Sequence, residues 1–180
     1  MPTPDVDVTA MIESLERHDV SYVVIGGFAA ELHDVAIPPT RDIDLTPSTD
    51  PANLARLAHA LRDLDARFRV FGGPAAGVEI PGGISADWLA QMVTVTLTTS
   101  AGPLDIALRP DGTGGFDDLV QNRVLLAYGD RSVPVASLED VIRSKEAAGR
   151  EKDLLVIPAL RAHLRRTGGS MPSSSFGSPR

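Results

Sequence analysis

The sequence predicts an α/β (α+β) chain in which short strands alternate with helices around one core. Three observations carry that expectation. The apolar run Val20–Ile25 ends in Gly26-Gly27 and leads directly into residues spaced as a helix. Ile43 and Leu45 alternate with Asp42 and Asp44, the period of a strand. Val93–Thr98 alternates β-branched residues, turns at Ser100-Ala101-Gly102, and returns with the same apolar and acidic alternation around Asp105. At 180 residues and 19.0 kDa the chain is long enough for one unstapled core. We divide it into one domain, 1–166, and a Ser/Gly/Pro-rich tail, 167–180, whose composition reads as mobile.

Each element has its own local reason. Residues 9–18 form a helix with Thr9 at the cap and Met11, Ile12 and Leu15 on one side. The strand 20–25 follows, then a short helix over 28–34 packed through Phe28, Ala29 and Leu32. Pro38-Pro39 ends the connection in extended backbone, and the carboxylate strand covers 41–46. Asp50-Pro51 starts a helix to about 65, with Leu54, Leu57, Ala58, Leu61 and Leu64 as its buried stripe. A strand covers 67–71, and the glycine- and proline-rich 72–83 is a loop near the pocket rim, with Trp88 a packing anchor beside it. It lacks the lysine and the Gly-Lys-Ser/Thr ending of a phosphate cradle. Beyond the hairpin 93–108, residues 116–122 read as helix and 131–135 as strand. Ser137 and Asp140 have capping-box spacing for a helix that Gly149 stops. A last helix starts at Glu151, with Leu154, Ile157, Leu160 and Leu164 buried and Pro158 bending or interrupting it.

Composition removes several chemistries. There is no cysteine, so disulfides, thiolate zinc sites and cysteine nucleophiles are excluded. The four histidines, His18, His33, His59 and His163, form no His-x-x-x-His pair, and no Ser/His/Asp grouping is visible. No leader-like segment opens the chain and no apolar run approaches the roughly 20 residues of a membrane span, so the expected location is the cytoplasm, without membrane contact. The net charge of −7 argues against indiscriminate nucleic-acid binding. Yet residues 143–166 carry seven basic against three acidic side chains, either a solvated helix face or a local polyanion site.

The chemistry lies in the carboxylates. Asp42 and Asp44 sit about 6–7 Å apart on one side of a strand, and Asp105 arrives on a neighbouring one. Three such groups repel unless a cation lies among them, and magnesium satisfies them with oxygen ligands while leaving positions for a triphosphate. A second ion about 4 Å away would complete a two-metal site that activates a hydroxyl and stabilises pyrophosphate. Gly26-Gly27 reads either as a tight turn or as a Cβ-free approach for phosphate to backbone N–H groups beside the following helix. Lys145 is either solvated or a cationic hand for the triphosphate, with Arg150 and Lys152 near, and Asp153 is placed to orient it. Tyr22, Trp88 and His33 read as structural, a half-buried strand residue, a packing anchor and a surface or capping residue, and Arg41 reads as a strand-edge residue that meets either a phosphate or a neighbouring acid.

The runs Val24–His33, Thr40–Leu45 and Ala136–Leu154 resemble the nucleotidyltransferase superfamily of the DNA polymerase β type, and within it the AbiEii and MenT group of toxins. The resemblance covers about residues 10–165 in order. It implies a small core with a mixed, twisted sheet, magnesium on Asp42 and Asp44, and an NTP whose triphosphate runs toward Gly26 and Gly27. It also implies functional roles for Lys145 and Asp153, transfer of a nucleotide to the 3′ end of tRNA, and a cognate antitoxin. Some such antitoxins are kinases, and Thr40 matches the position they modify, where a phosphate would repel the triphosphate. The chain departs from the pattern in having Gly-Gly where many members have Gly-Ser, and Ile106 where a further acid could follow Asp105. Transfer to a small molecule such as an aminoglycoside, transfer to a protein hydroxyl, and a non-catalytic nucleotide-binding module are the alternatives.

Overall fold

The computed structural model describes residues 6–74 and 76–168. Seven strands form one mixed sheet: β1 (Tyr22–Ile25), β2 (Ile43–Pro47), β3 (Arg67–Phe68), β4 (Thr94–Thr99), β5 (Gly102–Ala107), β6 (Val124–Tyr128) and β7 (Arg131–Val135). Their order is β3-β4-β5-β2-β1-β7-β6. The central strands β1 and β2 run antiparallel, whereas β2 pairs parallel with β5 and β1 parallel with β7. The edges close with antiparallel partners, β3 and β4 on one side and β6 on the other. This is the mixed sheet of a small α+β core.

The helices are α1 (Val8–Arg17), α2 (Gly26–Leu32), α3 (Pro51–Asp63), α4 (Ala86–Ala90), α5 (Phe116–Asn122), α6 (Leu138–Ala148) and α7 (Glu151–Gly168). One core, including Leu45, Leu57, Leu61, Leu97, Leu104 and Leu160, fills the space between them and the sheet. α3 starts as expected, with the Asp50 carboxylate accepting from Ala52 and Asn53 N–H and proline following it. α6 is capped by Ser137, which accepts from Asp140 N–H, and ends at Gly149 with φ +61°.

Several boundaries differ from the sequence reading. Asp7, two residues before Thr9, caps α1 by accepting from Ala10 N–H. β1 begins at Tyr22, because Ser21 N–H bonds the side chain of Asn53 instead of a strand. α2 starts at Gly26 itself, and β2 at Ile43, so Asp42 lies in a bend before the strand. β3 holds only two residues, although Arg69 N–H still bonds Thr96 O at 3.0 Å.

Both α4, capped by Ser85, and β6 are elements the sequence reading missed. Trp88 does pack as an anchor, edge-on to Phe68 at 5.6 Å. α7 passes through Pro158 without a break, since the exposed face tolerates the missing N–H. The stripe it buries runs through Asp153, Ile157 and Leu160, and Leu154 is 53% exposed, contrary to expectation. Thr167 and Gly168 belong to α7, so the helix reaches into the segment read as tail, and residues 169–180 lie outside the described residues.

Candidate active site

The sheet order brings three aspartates to one cleft. Asp44 on β2 stands opposite Asp105 on parallel β5, so the two carboxylates leave the same face of adjacent strands. Asp42, in the bend one residue before β2, lines the same cleft, which encloses about 1040 Å³. Thr40 Oγ1 donates to Asp42 Oδ1 at 2.9 Å, and Thr40 N–H is held by Glu31 of α2. This local clamp holds Asp42 at the cleft although strand pairing does not reach it.

The close grouping has an electrostatic cost. The Asp44 carboxyl is pushed up to about 7, first by burial and then by the charges of Asp42 and Asp105, against the opposing pull of Lys145 and Lys152. Burial likewise lifts Asp105 to about 6, although the Arg69 guanidinium draws it down. Gly26 is required by this packing. Its φ is +69°, and a Cβ there would stand 2.2 Å from Asp44 Oδ2. A Cβ on Gly27 would meet Thr40 Oγ1 at 3.1 Å. The glycine pair therefore leaves room for the carboxylate and the threonine, a reason that neither sequence reading of the pair, tight turn or phosphate approach, contained.

The opposite wall comes from α6 and α7. Lys145 Nζ donates to Asp153 Oδ1 at 2.9 Å, a charged hydrogen bond by which Asp153 orients the lysine, and Arg150 Nε donates to Asp153 Oδ2 at 2.6 Å. Burial raises the Asp153 carboxyl, but these bonds outweigh it and hold the group below the usual carboxylate range. Asp153 is 2% exposed and Arg150 63%, so a buried acid fixes two cations that line the cleft. Lys152 lines it as well. His33, expected as a surface or capping residue, terminates α2 and bonds Ala136 O at 2.8 Å. Tyr22 is buried in β1.

Arg69 is the cleft residue that sequence reasoning missed. It donates to Asp105 Oδ1 at 2.5 Å and lies 3.9 Å from Asp42 Oδ2, with Phe71 below its guanidinium at 5.9 Å. Register explains the reach: Arg69 bonds Thr96, Thr96 pairs with Asp105, and Asp105 pairs with Asp44, a row across four neighbouring segments. The signal available was the Arg67-Phe68-Arg69 alternation, which becomes informative only once β4 is known to separate it from β5.

The donor set is all oxygen, the chemistry of magnesium, and a like-charged group that lifts the Asp44 carboxyl fits a cation between Asp42 and Asp44. As the side chains lie, no group of three or more His, Cys, Asp or Glu among the described residues forms a metal centre. Asp105 is engaged by Arg69 instead.

No family model matches the sequence, and no curated protein does. Solved structures do match. The lincosamide antibiotic adenylyltransferase LnuA, with lincomycin bound, is 17% identical over 87% of this chain and 96% of that one, with a TM-score of 0.58. The antibiotic-resistance factor ANT(2″)-Ia in solution is 15% identical over 89% and 82%, with a TM-score of 0.55. The same factor with adenylyl-2″-tobramycin gives 14%, 89% and 87%, and a TM-score of 0.51. The architecture described above, mixed sheet and flanking helices together, is therefore the fold that these solved structures share.

Proposed function

We propose that the protein transfers a nucleotidyl group from an NTP to a hydroxyl of a small molecule. The convergence of Asp42, Asp44 and Asp105 beside the Gly26 corner, facing Lys145 and Arg150, carries this reading. In the reaction the acceptor oxygen attacks the α-phosphorus, the O–Pα bond forms, the bond from Pα to the bridging oxygen breaks, and pyrophosphate leaves with that electron pair. Asp42 and Asp44 would hold magnesium, which would supply neutralisation of phosphate charge and Lewis acidity at that place. Lys145 and Arg150, kept in place by Asp153, receive the triphosphate and stabilise the charge on departing pyrophosphate. Asp105 stands on the same face to take the acceptor's proton.

A small acceptor is favoured over RNA by the surface. Of the seven basic residues between 143 and 166, Arg143, Lys145, Arg150 and Arg161 are engaged in ion pairs with Asp118, Asp140, Asp153 and Glu146. That stretch therefore offers less free positive charge than its composition suggests. The small molecules held by the matching structures, lincomycin in one and adenylyl-2″-tobramycin in another, point the same way. Exposed Phe71, Val93 and Leu155 on the cleft lining suit an acceptor with apolar surface.

One observation favours the second reading, transfer to the 3′ end of tRNA by the toxin of a toxin–antitoxin pair. Thr40 Oγ1 bonds Asp42, so a phosphate placed there by an antitoxin would stand against the metal ligand.

The deciding experiment incubates the protein with each α-labelled NTP, magnesium, and in turn lincomycin, tobramycin and total RNA, with D42A as control. Label on a small molecule, lost in D42A, is the expected result. Label confined to tRNA establishes the second reading, and nucleotide binding without transfer to any acceptor overturns both.

A further inference from the structure

We propose that the Arg69 guanidinium is a built-in substitute for one metal ion, so that the nucleotide-loaded site takes one divalent cation where three aspartates would otherwise take two. The inference rests on the nucleotidyl-transfer reading above and concerns what this chain does with its third carboxylate.

The geometry is that of a fixed cation. Arg69 N–H is tied to Thr96 O at 3.0 Å, its side chain is 20% exposed, and its Nε is buried with no hydrogen-bond partner. The guanidinium crosses above Thr96, the residue between Arg69 and Asp105 in the cross-strand row, and meets Asp105 Oδ1 at 2.5 Å. Phe71 backs it at 5.9 Å. Magnesium binds carboxylate oxygen at about 2.0–2.1 Å. An ion on Asp105 Oδ1 would thus press against the guanidinium nitrogen already on that oxygen, cation against cation.

Charge points the same way. Asp42, Asp44 and Asp105 carry three formal negative charges, Arg69 offsets one, and the remaining two equal the charge of a single divalent ion. Lys145 and Arg150 together exceed the one charge of Asp153, and Lys145 and Lys152 also act on Asp44, so the single-ion count is set by the Arg69 contact on Asp105 and not by net charge alone. Arg69 also stands 3.9 Å from Asp42 Oδ2, close enough to orient the edge of the carboxylate pair without occupying it. Asp42 and Asp44 are then the ligands of the one ion, and Arg69 is a positioning residue that holds Asp105 Oδ1 away from it.

The test counts manganese by electron paramagnetic resonance, in protein saturated with one equivalent of a non-hydrolysable NTP analogue and corrected for the analogue alone. The wild type is expected to bind one Mn²⁺ per chain, R69K one, and R69Q two, because the freed Asp105 opens a second place. D105N, which removes the carboxylate and leaves the arginine, is expected to keep one. Two ions in the wild type, one in folded R69Q, or loss of the ion in D105N overturns the proposal while leaving nucleotidyl transfer intact. No ion in the wild type overturns both readings together. Circular dichroism melting establishes which variants are folded, and if R69Q is not, the wild-type and D105N counts decide.

Discussion

Gly26 and Asp153 show how single residues hold this site. Gly26→Ala places a Cβ 2.2 Å from Asp44 Oδ2 and forces a non-glycine residue to φ +69°. The backbone strain alone costs about 1–2 kcal/mol. The variant should therefore melt earlier and, because Asp44 must move, lose magnesium-dependent nucleotide affinity in calorimetric titration. Lys145→Ala leaves buried Asp153 with Arg150 as its remaining partner, so folding stability should fall by only about 1–2 kcal/mol. Turnover should fall at least about 100-fold, the scale on which a preorganised charge stabiliser acts. Equal loss of folding and activity would make Lys145 structural. Asp153→Asn removes the charge that both cations share, a loss of about 3–5 kcal/mol for breaking a buried pair. The Asp153 carboxyl is held below its ordinary value in the fold, so its contribution is present above the unfolded value near 3.9 and disappears as pH falls through the folded one. Urea midpoints of wild type and D153N should differ widely at pH 7 and converge as pH falls below about 4. Both the Lys145–Asp153 pair and the Asp42–Asp44 pair were legible in the chain, because each joins residues close in sequence. Arg69 was not, because its partner lies 36 residues away on a strand two places over.

Elements carry a different lesson. Caps with a single obvious acceptor, Asp50 and Ser137, lie where the sequence puts them, since the bonds they accept come from within three residues. The α1 cap was misplaced because Thr9 and Asp7 compete within one turn and the carboxylate wins. β6 escaped notice because its inward and outward residues are all apolar, Val124-Leu125-Leu126-Ala127-Tyr128, and carry no alternation. It becomes a strand through five pairings with β7. Pro158 shows tertiary packing overriding propensity: Ile157 and Leu160 bury on either side of it and hold α7 continuous. The proline ring is exposed, so Pro158→Ala should restore a backbone donor at no packing loss. We expect a gain of about 1–3 kcal/mol, read as a higher denaturation midpoint, with transfer activity unchanged.

For the molecule as a whole, function and stability pull against each other at the carboxylate cluster. Asp44 is half-buried among like charges, so Asp44→Asn should raise the stability of the metal-free protein by about 0.5–2 kcal/mol while abolishing the stabilisation expected from magnesium and NTP in the wild type. Melting curves in chelator, then with magnesium and nucleotide, separate the two effects. No helix among the described residues is long and apolar enough to cross a membrane, and the sheet forms a continuous platform from β3 to β6 on which the cleft opens. By itself the sequence determined the alternation of strands and helices, the acidic strand, the glycine corner and the Lys145–Asp153 pairing, because periodicity, capping and short-range charge act over a few residues. Only the tertiary structure decided that β5 would lie parallel beside β2, that Asp105 would register with Asp44, and that Arg69 would reach across Thr96 to meet it. Strand order is set by how the whole core closes, and no local pattern encodes which two distant strands will become neighbours.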